Sequence, residues 1–93
     1  MLVGVLEVEL WMPQALSLKD KRSVLKSLKD QLRNRFNVAV AEIEPTVKWQ
    51  RASLGVTTVG GDRGTVEGCL NHVVEWVRGH HSVEVIHAEH EIL

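Results

Sequence analysis

The stretch LVGVLEVELW, residues 2–11, decides the fold because two kinds of side chain alternate along its whole length. Every even position carries an apolar residue or glycine, whereas the odd positions mix valine, glutamate and tryptophan. Alternation with a period of two is typical of a β-strand with one face in the core and the other open. Pro13 ends the run because it cannot donate to a sheet ladder. We therefore predict a first strand whose even residues face the core.

The next segment, residues 17–36, has the spacing of an amphipathic helix. Its apolar stripe contains Leu18, Leu25, Leu28 and Leu32. Residues at this spacing share one face of a helix. Ser17, with Asp20 three residues later, resembles the capping box that starts a helix. We expect Leu25 and Leu28 to lie in the core, between the helix and the sheet.

The remaining chain divides into two strands, a helix and a last strand. Their predicted bounds are 38–44, 49–59, 63–78 and 83–89. Pro45 closes the first of them or begins a loop, and Asp62 caps the helix. The complete order is therefore β-α-β-β-α-β. Right-handed crossovers place both helices on one face of a four-stranded antiparallel sheet. The predicted fold class is α+β, a ferredoxin-like sandwich that residues 1–93 form as a single domain.

Length and composition restrict the class of protein. A chain of 93 residues can bury one modest core and needs neither a metal nor a disulfide to fold. The single cysteine, Cys69, lies on the apolar stripe of the second helix, and we interpret it as a small core residue. No apolar run of about 18 residues is present, and the N-terminus is typical of a strand, not of a signal peptide. We expect a cytoplasmic protein with no membrane partner.

Charge is distributed very unevenly along the chain. Residues 17–36 contain seven bases and two acids, a net charge of +5, and the rest contains four bases and ten acids, a net charge of −6. A clustered basic face attracts polyanions even when the whole molecule is nearly neutral. We expect the bases of the helix to be unmatched by acids on the same face. The alternative is that they are only the solvated side of an amphipathic helix.

The predicted nucleic-acid-binding residues combine this helix with two bases near the start of the third strand. They are Lys19, Lys21, Arg22, Lys26, Lys29, Arg33, Arg35, Lys48 and Arg51. Arg22, Lys26, Lys29 and Arg33 recur at helical spacing, which places them on a second stripe beside the leucines.

Catalytic and metal chemistry find little support in the sequence. His87 and His90 would point to opposite faces of a strand, which is poor geometry for one metal ion. Acylphosphatases share the predicted topology, yet residues 12–17 lack the glycine and arginine with which their first loop grips phosphate. The turn at residues 60–64 lacks the lysine and Ser/Thr of a P-loop. We predict no catalytic residue, no metal site and no cofactor.

The predicted open face of the sheet would carry Val3, Val5, Glu7, Glu9 and Trp11. Its glutamates repel phosphate, and the third strand offers no Phe or Tyr for base stacking, so the face does not resemble an RNA-recognition motif. Leaving valines and a tryptophan in water gives up favourable burial. A homodimer through this face would cover them and leave both basic helices outward.

Four segments of the sequence resemble the YlxP-like family of small bacterial proteins. They are VGVLEV at 3–8, SLKDKR at 17–22, RNRFNV at 33–38 and WQRA at 49–52. The resemblance implies a ferredoxin-like fold in a bacterial cytoplasmic protein. Genes of this family often lie beside those of translation-initiation and ribosome-maturation factors, which implies a role linked to the ribosome. The resemblance supplies no catalytic residue.

The sequence is compatible with three functions. The first is a non-enzymatic RNA- or ribosome-binding accessory protein whose basic helix contacts phosphates. The second is a protein-interaction or dimerisation module whose basic helix meets an acidic partner. The third is a small-anion binder or enzyme that uses Arg51 and the loop near Ser17. We expect the first, with weak or shape-dependent recognition, because phosphate contacts carry no sequence information.

Overall fold

The computed structural model describes residues 1–44 and 48–93 of the chain. Its elements are β1 (Leu2–Trp11), α1 (Leu18–Arg35), β2 (Ala39–Ile43), β3 (Arg51–Gly60), α2 (Arg63–Arg78) and β4 (Glu84–Ile92). The order confirms the predicted α+β, ferredoxin-like βαββαβ fold. The predicted role of Pro45 in closing β2 lies outside the described residues. Within the described part of the chain, neither helix combines the length and apolar character that crossing a membrane requires.

The sheet is antiparallel, with the strand order β2-β3-β1-β4. Strand β1 is central and pairs with β3 over all of its residues. On its other side it pairs with β4, where the register shifts between Glu9 and Leu10 and makes Ile86 the extra residue of a bulge. Strand β4 runs to Ile92, past the predicted end, because it follows β1 as far as Gly4.

The core lies between the sheet and the two helices. Leu6, Val8 and Leu10 of β1 are buried, as their alternation predicts. Leu25 and Leu28 of α1 are buried in the same cluster, which confirms their predicted place. Burying one such side chain stabilises the fold by about 1.5–3 kcal/mol, so the apolar stripe of α1 explains why this charged helix docks on the sheet.

Side-chain caps begin both helices. The Asp20 N–H donates to Ser17 Oγ at 3.1 Å, as in the predicted capping box, but Asp20 Oδ2 accepts from Leu16 N–H at 3.0 Å instead of from Ser17. Asp62 caps α2 as predicted, with the Thr65 N–H donating to Oδ1 and the Thr65 hydroxyl to Oδ2, each at 2.9 Å. These two bonds, the backbone one first, hold the pKa of Asp62 below its ordinary value of 3.8.

Helix α2 packs closely against β1 at Gly4. A Cβ atom at this position would lie 2.5 Å from Val66 Cγ1 and 2.9 Å from Leu70 Cδ1, so the contact requires a glycine. Cys69, beside Leu70, is half-buried, which corrects its predicted place in the core. The buried residues of α2 follow the row of Val66, Leu70 and Val73, and Cys69 lies at the margin of that row.

Candidate polyanion-binding surface

One side of α1 carries a row of bases, here called the basic stripe. The basic stripe consists of Lys19, Arg22, Lys26, Lys29 and Arg33. All of these side chains are exposed except Lys29, which is half-buried. From Lys19 to Arg33 the row extends for about 21 Å along the helix. The structure therefore brings five of the nine predicted residues together on one surface.

Lys21 does not belong to this surface, which corrects its predicted role as a phosphate contact. The residue is only 3% exposed. Its Nζ donates to the carbonyl oxygen of Lys48 at 3.0 Å and lies 3.7 Å from Glu42 Oε2. The Lys21 ammonium thus interacts with groups inside the molecule, and these contacts join α1 to β2 and to the segment that precedes β3.

The basic stripe is also less unbalanced than predicted, because Asp30 lies on the same side of α1. Asp30 accepts from Lys26 Nζ at 3.1 Å and from Arg33 at 3.4 Å. Arg33 also donates to the backbone oxygen of Val40 at 2.8 Å, which satisfies an edge carbonyl of β2. Within the described residues no ion pair engages Lys19, Arg22 or Lys29. These three bases hold the charge that is available to a ligand.

Arg35 lies on another side of the helix. Two residues after Arg33, it is turned by about 200° around the helix axis. Its guanidinium lies 5.6 Å from the ring centroid of Trp76 in α2, a cation–π contact. Arg35 therefore bridges the two helices and does not extend the basic stripe.

The remaining predicted bases, Lys48 and Arg51, lie near the N-terminal end of α1. The hydrogen bond from Lys21 to Lys48 places this segment against the first turn of the helix. Arg51 is exposed on the open face of the sheet, opposite Trp11. Lys48 therefore lies close to the first turn of α1, whereas Arg51 is on the face of the sheet that the helices do not cover.

Sequence reasoning missed Trp49, which lies between these two bases. The sequence predicts a third strand that starts at Trp49, but β3 begins only at Arg51. Trp49 is part of a turn, and its side chain is 53% exposed. Its position between Lys48 and Arg51 was a signal, since aromatic and basic side chains are interleaved in many nucleic-acid-binding surfaces.

The open face of the sheet has the opposite charge. Its β1 and β4 strands carry Glu7, Glu9, Glu84, Glu89 and Glu91, and the register places Glu7 directly opposite Glu89. His87, on this face, lies 3.4 Å from Glu89, whereas His90 is opposite the core residue Leu6, so the two histidines face opposite sides as predicted. Among the described residues, no group of three potential ligands converges on a metal position. The acidic half of the open face therefore repels anions, whereas the basic stripe of α1 attracts them.

The β2 half of the open face is apolar. Val5, Ala39, Ala41, Gly55 and Thr57 line a shallow groove across β1, β3 and β2. Val5 is 40% exposed, in agreement with its predicted place on the open face. The open face is therefore divided into an acidic half and an apolar half.

Comparison with known proteins places this chain in a family. Residues 3–90 match a family model described as "Protein of unknown function (DUF503)". The chain belongs to the DUF503 family. It is also similar to a protein of Bacillus subtilis (strain 168) described as "Uncharacterized protein YlxP", with 35% identity over 83 residues, or 89% of this chain and 90% of the relative. Membership of the DUF503 family, together with this relative, confirms the resemblance to YlxP-like proteins.

Proposed function

We propose that this protein is a non-enzymatic, cytoplasmic RNA- or ribosome-associated accessory protein that binds polyanion through the basic stripe of α1. The observation that carries the proposal is a set of exposed or half-buried bases with no acid partner in the described part of the chain: Lys19, Arg22 and Lys29. Bases of this kind can neutralise phosphates without first giving up an internal ion pair. The glutamates of β1 and β4 lie on the open face of the sheet, and their charge disfavours the approach of RNA to that face.

Electrostatics determines what kind of recognition this surface can give. Each phosphate that a base neutralises releases counterions, so affinity falls steeply as salt is added. Phosphate contacts position a protein on RNA but do not read bases. The basic stripe alone therefore supports weak recognition that depends on the shape of the RNA.

A salt titration tests the proposal. The affinity of the full chain for a fluorescently labelled structured RNA is measured by anisotropy over a series of salt concentrations. We expect the logarithm of the affinity to fall linearly with the logarithm of the salt concentration, by about 0.7–0.9 for each phosphate contact. An affinity that does not depend on salt, or no binding at the lowest salt, would contradict the proposal.

An acidic protein partner is the alternative ligand for the same stripe. The two are separated by a pull-down from cell extract with and without ribonuclease. Proteins retained after ribonuclease treatment bind the chain directly, whereas ribosomal proteins that are lost with the RNA were held through it. Retention of one acidic protein, undiminished by ribonuclease, would favour the protein-interaction module.

Homodimerisation is a second candidate property, favoured by the apolar groove on the open face. A two-fold interface centred on Val5, Ala41 and Gly55 would bury the groove and leave the glutamates of β1 and β4 at its rim. Both copies of α1 would face outward. Light scattering of the wild type and a Val5→Glu variant tests this: a dimer that the substitution dissociates supports the interface, and a monomeric wild type excludes it.

A further inference from the structure

Trp49 is an exposed tryptophan on a fixed backbone. Its side chain is 53% exposed, yet the residues on both sides are anchored. The carbonyl of Lys48 accepts from the buried Lys21 at 3.0 Å. On the other side, the Gln50 carbonyl accepts from the Met12 N–H at 2.8 Å.

The Gln50 side chain strengthens this anchor. Its Nε2 donates to the carbonyl oxygens of Pro13, at 3.1 Å, and Ala15, at 3.4 Å. These bonds fasten the turn that contains Trp49 to the loop between β1 and α1. Leu16 in that loop is 74% exposed, so a second apolar side chain is presented at the same end of the molecule.

The surroundings of Trp49 contain bases, and the acids Glu9 and Glu44 line the same depression as Lys48 and Arg51. Lys48 precedes Trp49, Arg51 follows two residues later, and both are exposed. The bond from Lys21 to Lys48 holds the turn against the first turn of α1, where the basic stripe begins with Lys19 and Arg22. An exposed indole with a base on either side in the sequence has the composition of sites that bind single-stranded nucleic acid, where bases stack on aromatic rings while cations follow the backbone.

We infer that Trp49 is a stacking platform for an unpaired base, and that the RNA bound by this protein is single-stranded or looped where it meets this end of the molecule. The inference rests on the proposed binding of RNA by the basic stripe. In a duplex the bases are stacked and paired, so the indole has no free base to contact. Trp49 therefore adds a preference for unpaired RNA that the basic stripe cannot supply.

The test compares Trp49→Ala, Trp49→Phe and the control Ile86→Ala, which removes an exposed apolar side chain from β4. Their affinities are measured for a labelled oligouridylate and for an RNA duplex of the same length. We expect Trp49→Ala to weaken binding of the oligouridylate roughly tenfold, without changing the salt dependence or the affinity for the duplex. Trp49→Phe retains most of the affinity, and Ile86→Ala all of it.

A fluorescence titration gives an independent readout. In a Trp11→Phe/Trp76→Phe variant whose fold is verified by circular dichroism, Trp49 is the sole source of tryptophan emission. Quenching by oligouridylate but not by duplex supports stacking. Salt-dependent binding that is unaffected by Trp49→Ala overturns this inference and leaves the proposed function standing. Equal weakening of binding to both RNAs by Trp49→Ala also overturns the stacking inference. A wild type that binds neither RNA overturns both this inference and the proposed function, and points to a protein ligand for this surface.

Discussion

Nζ of Lys21 lies 3.7 Å from Oε2 of Glu42, and this pair joins α1 to the edge strand β2. The same nitrogen donates to the backbone oxygen of Lys48. One ammonium group therefore holds α1 against both β2 and the segment that precedes β3. A buried charge is tolerated only when partners replace its water. The basic character of α1 therefore serves the fold as well as any ligand.

Replacing Lys21 with methionine tests this structural role. The variant keeps the volume of the side chain but leaves the Lys48 carbonyl without this donor, so we expect unfolding to require about 1–3 kcal/mol less. Lys19→Met is the matched control on the exposed side of the same helix, with an expected change under about 0.5 kcal/mol. Urea denaturation measures both. Equal stabilities of the two variants would contradict a stabilising role for the bonds that Lys21 makes.

The sequence contained a signal for this burial. Lys21, Leu25, Leu28 and Leu32 recur at steps of four, three and four, so Lys21 occupies the first position of the buried row. Its residue type suggested solvent, whereas its spacing indicated the core. The partners could not be predicted, because Glu42 and Lys48 reach Lys21 only through the tertiary fold.

The close approach at Gly4 gives a paired prediction. Gly4→Ala forces a methyl group into Val66 and Leu70, and we expect a loss of about 1–3 kcal/mol from overpacking. Gly68 lies on α2, the helix that Gly4 contacts, and a Cβ atom there meets no atom within 4 Å. Because alanine has the better helix propensity, we expect Gly68→Ala to raise the free energy of unfolding by about 1 kcal/mol. Chemical denaturation measures both, and changes of the same sign would contradict the packing of α2 on β1.

The pKa of His80 makes stability depend on pH. Burial, followed by repulsion from His81, lowers the pKa of His80 from its ordinary 6.5. Its Nδ1 accepts the Ser82 N–H at 3.2 Å, which requires the neutral ring. This contribution is fully present above pH 6.5 and is lost as the pH falls through the lowered pKa of the folded state.

Melting temperatures near neutral pH and at about pH 5 test this linkage in the wild type and in His80→Asn. Asparagine can accept the same N–H but does not titrate. All other residues are the same in both proteins, so the difference between the two responses is due to His80. We expect the wild type to lose more stability on acidification. Parallel losses in the two proteins would show that His80 is not responsible.

The sequence predicted the fold well because its signals are local. Alternation in residues 2–11 and the leucine spacing of α1 specify one strand and one helix, and the order of elements then leaves few topologies. The end of β4 was missed because residues 90–92 have no apolar pattern of their own. They form a strand because β1 offers a partner, with hydrogen bonds in both directions between Val3 and Leu93 at its end.

The candidate site could be predicted only in part. Spacing along α1 correctly grouped Arg22, Lys26, Lys29 and Arg33. It could not indicate that Arg35 would contact Trp76 on another helix, since that contact is tertiary. Which basic side chains form contacts within the protein, and so are not available to a ligand, depends on the tertiary fold.

The most direct test of the central claim is the RNA affinity of two charge-reversed variants. Arg22→Glu/Lys29→Glu alters the basic stripe, and Arg63→Glu/Arg78→Glu changes the formal net charge equally on α2. Both are measured against the same single-stranded RNA over a series of salt concentrations, after melting curves verify folding. We predict that only the α1 variant loses affinity, with a salt slope smaller by about 1.4, the loss of two phosphate contacts. Equal losses in both variants, or no loss in the α1 variant, would contradict binding through the basic stripe.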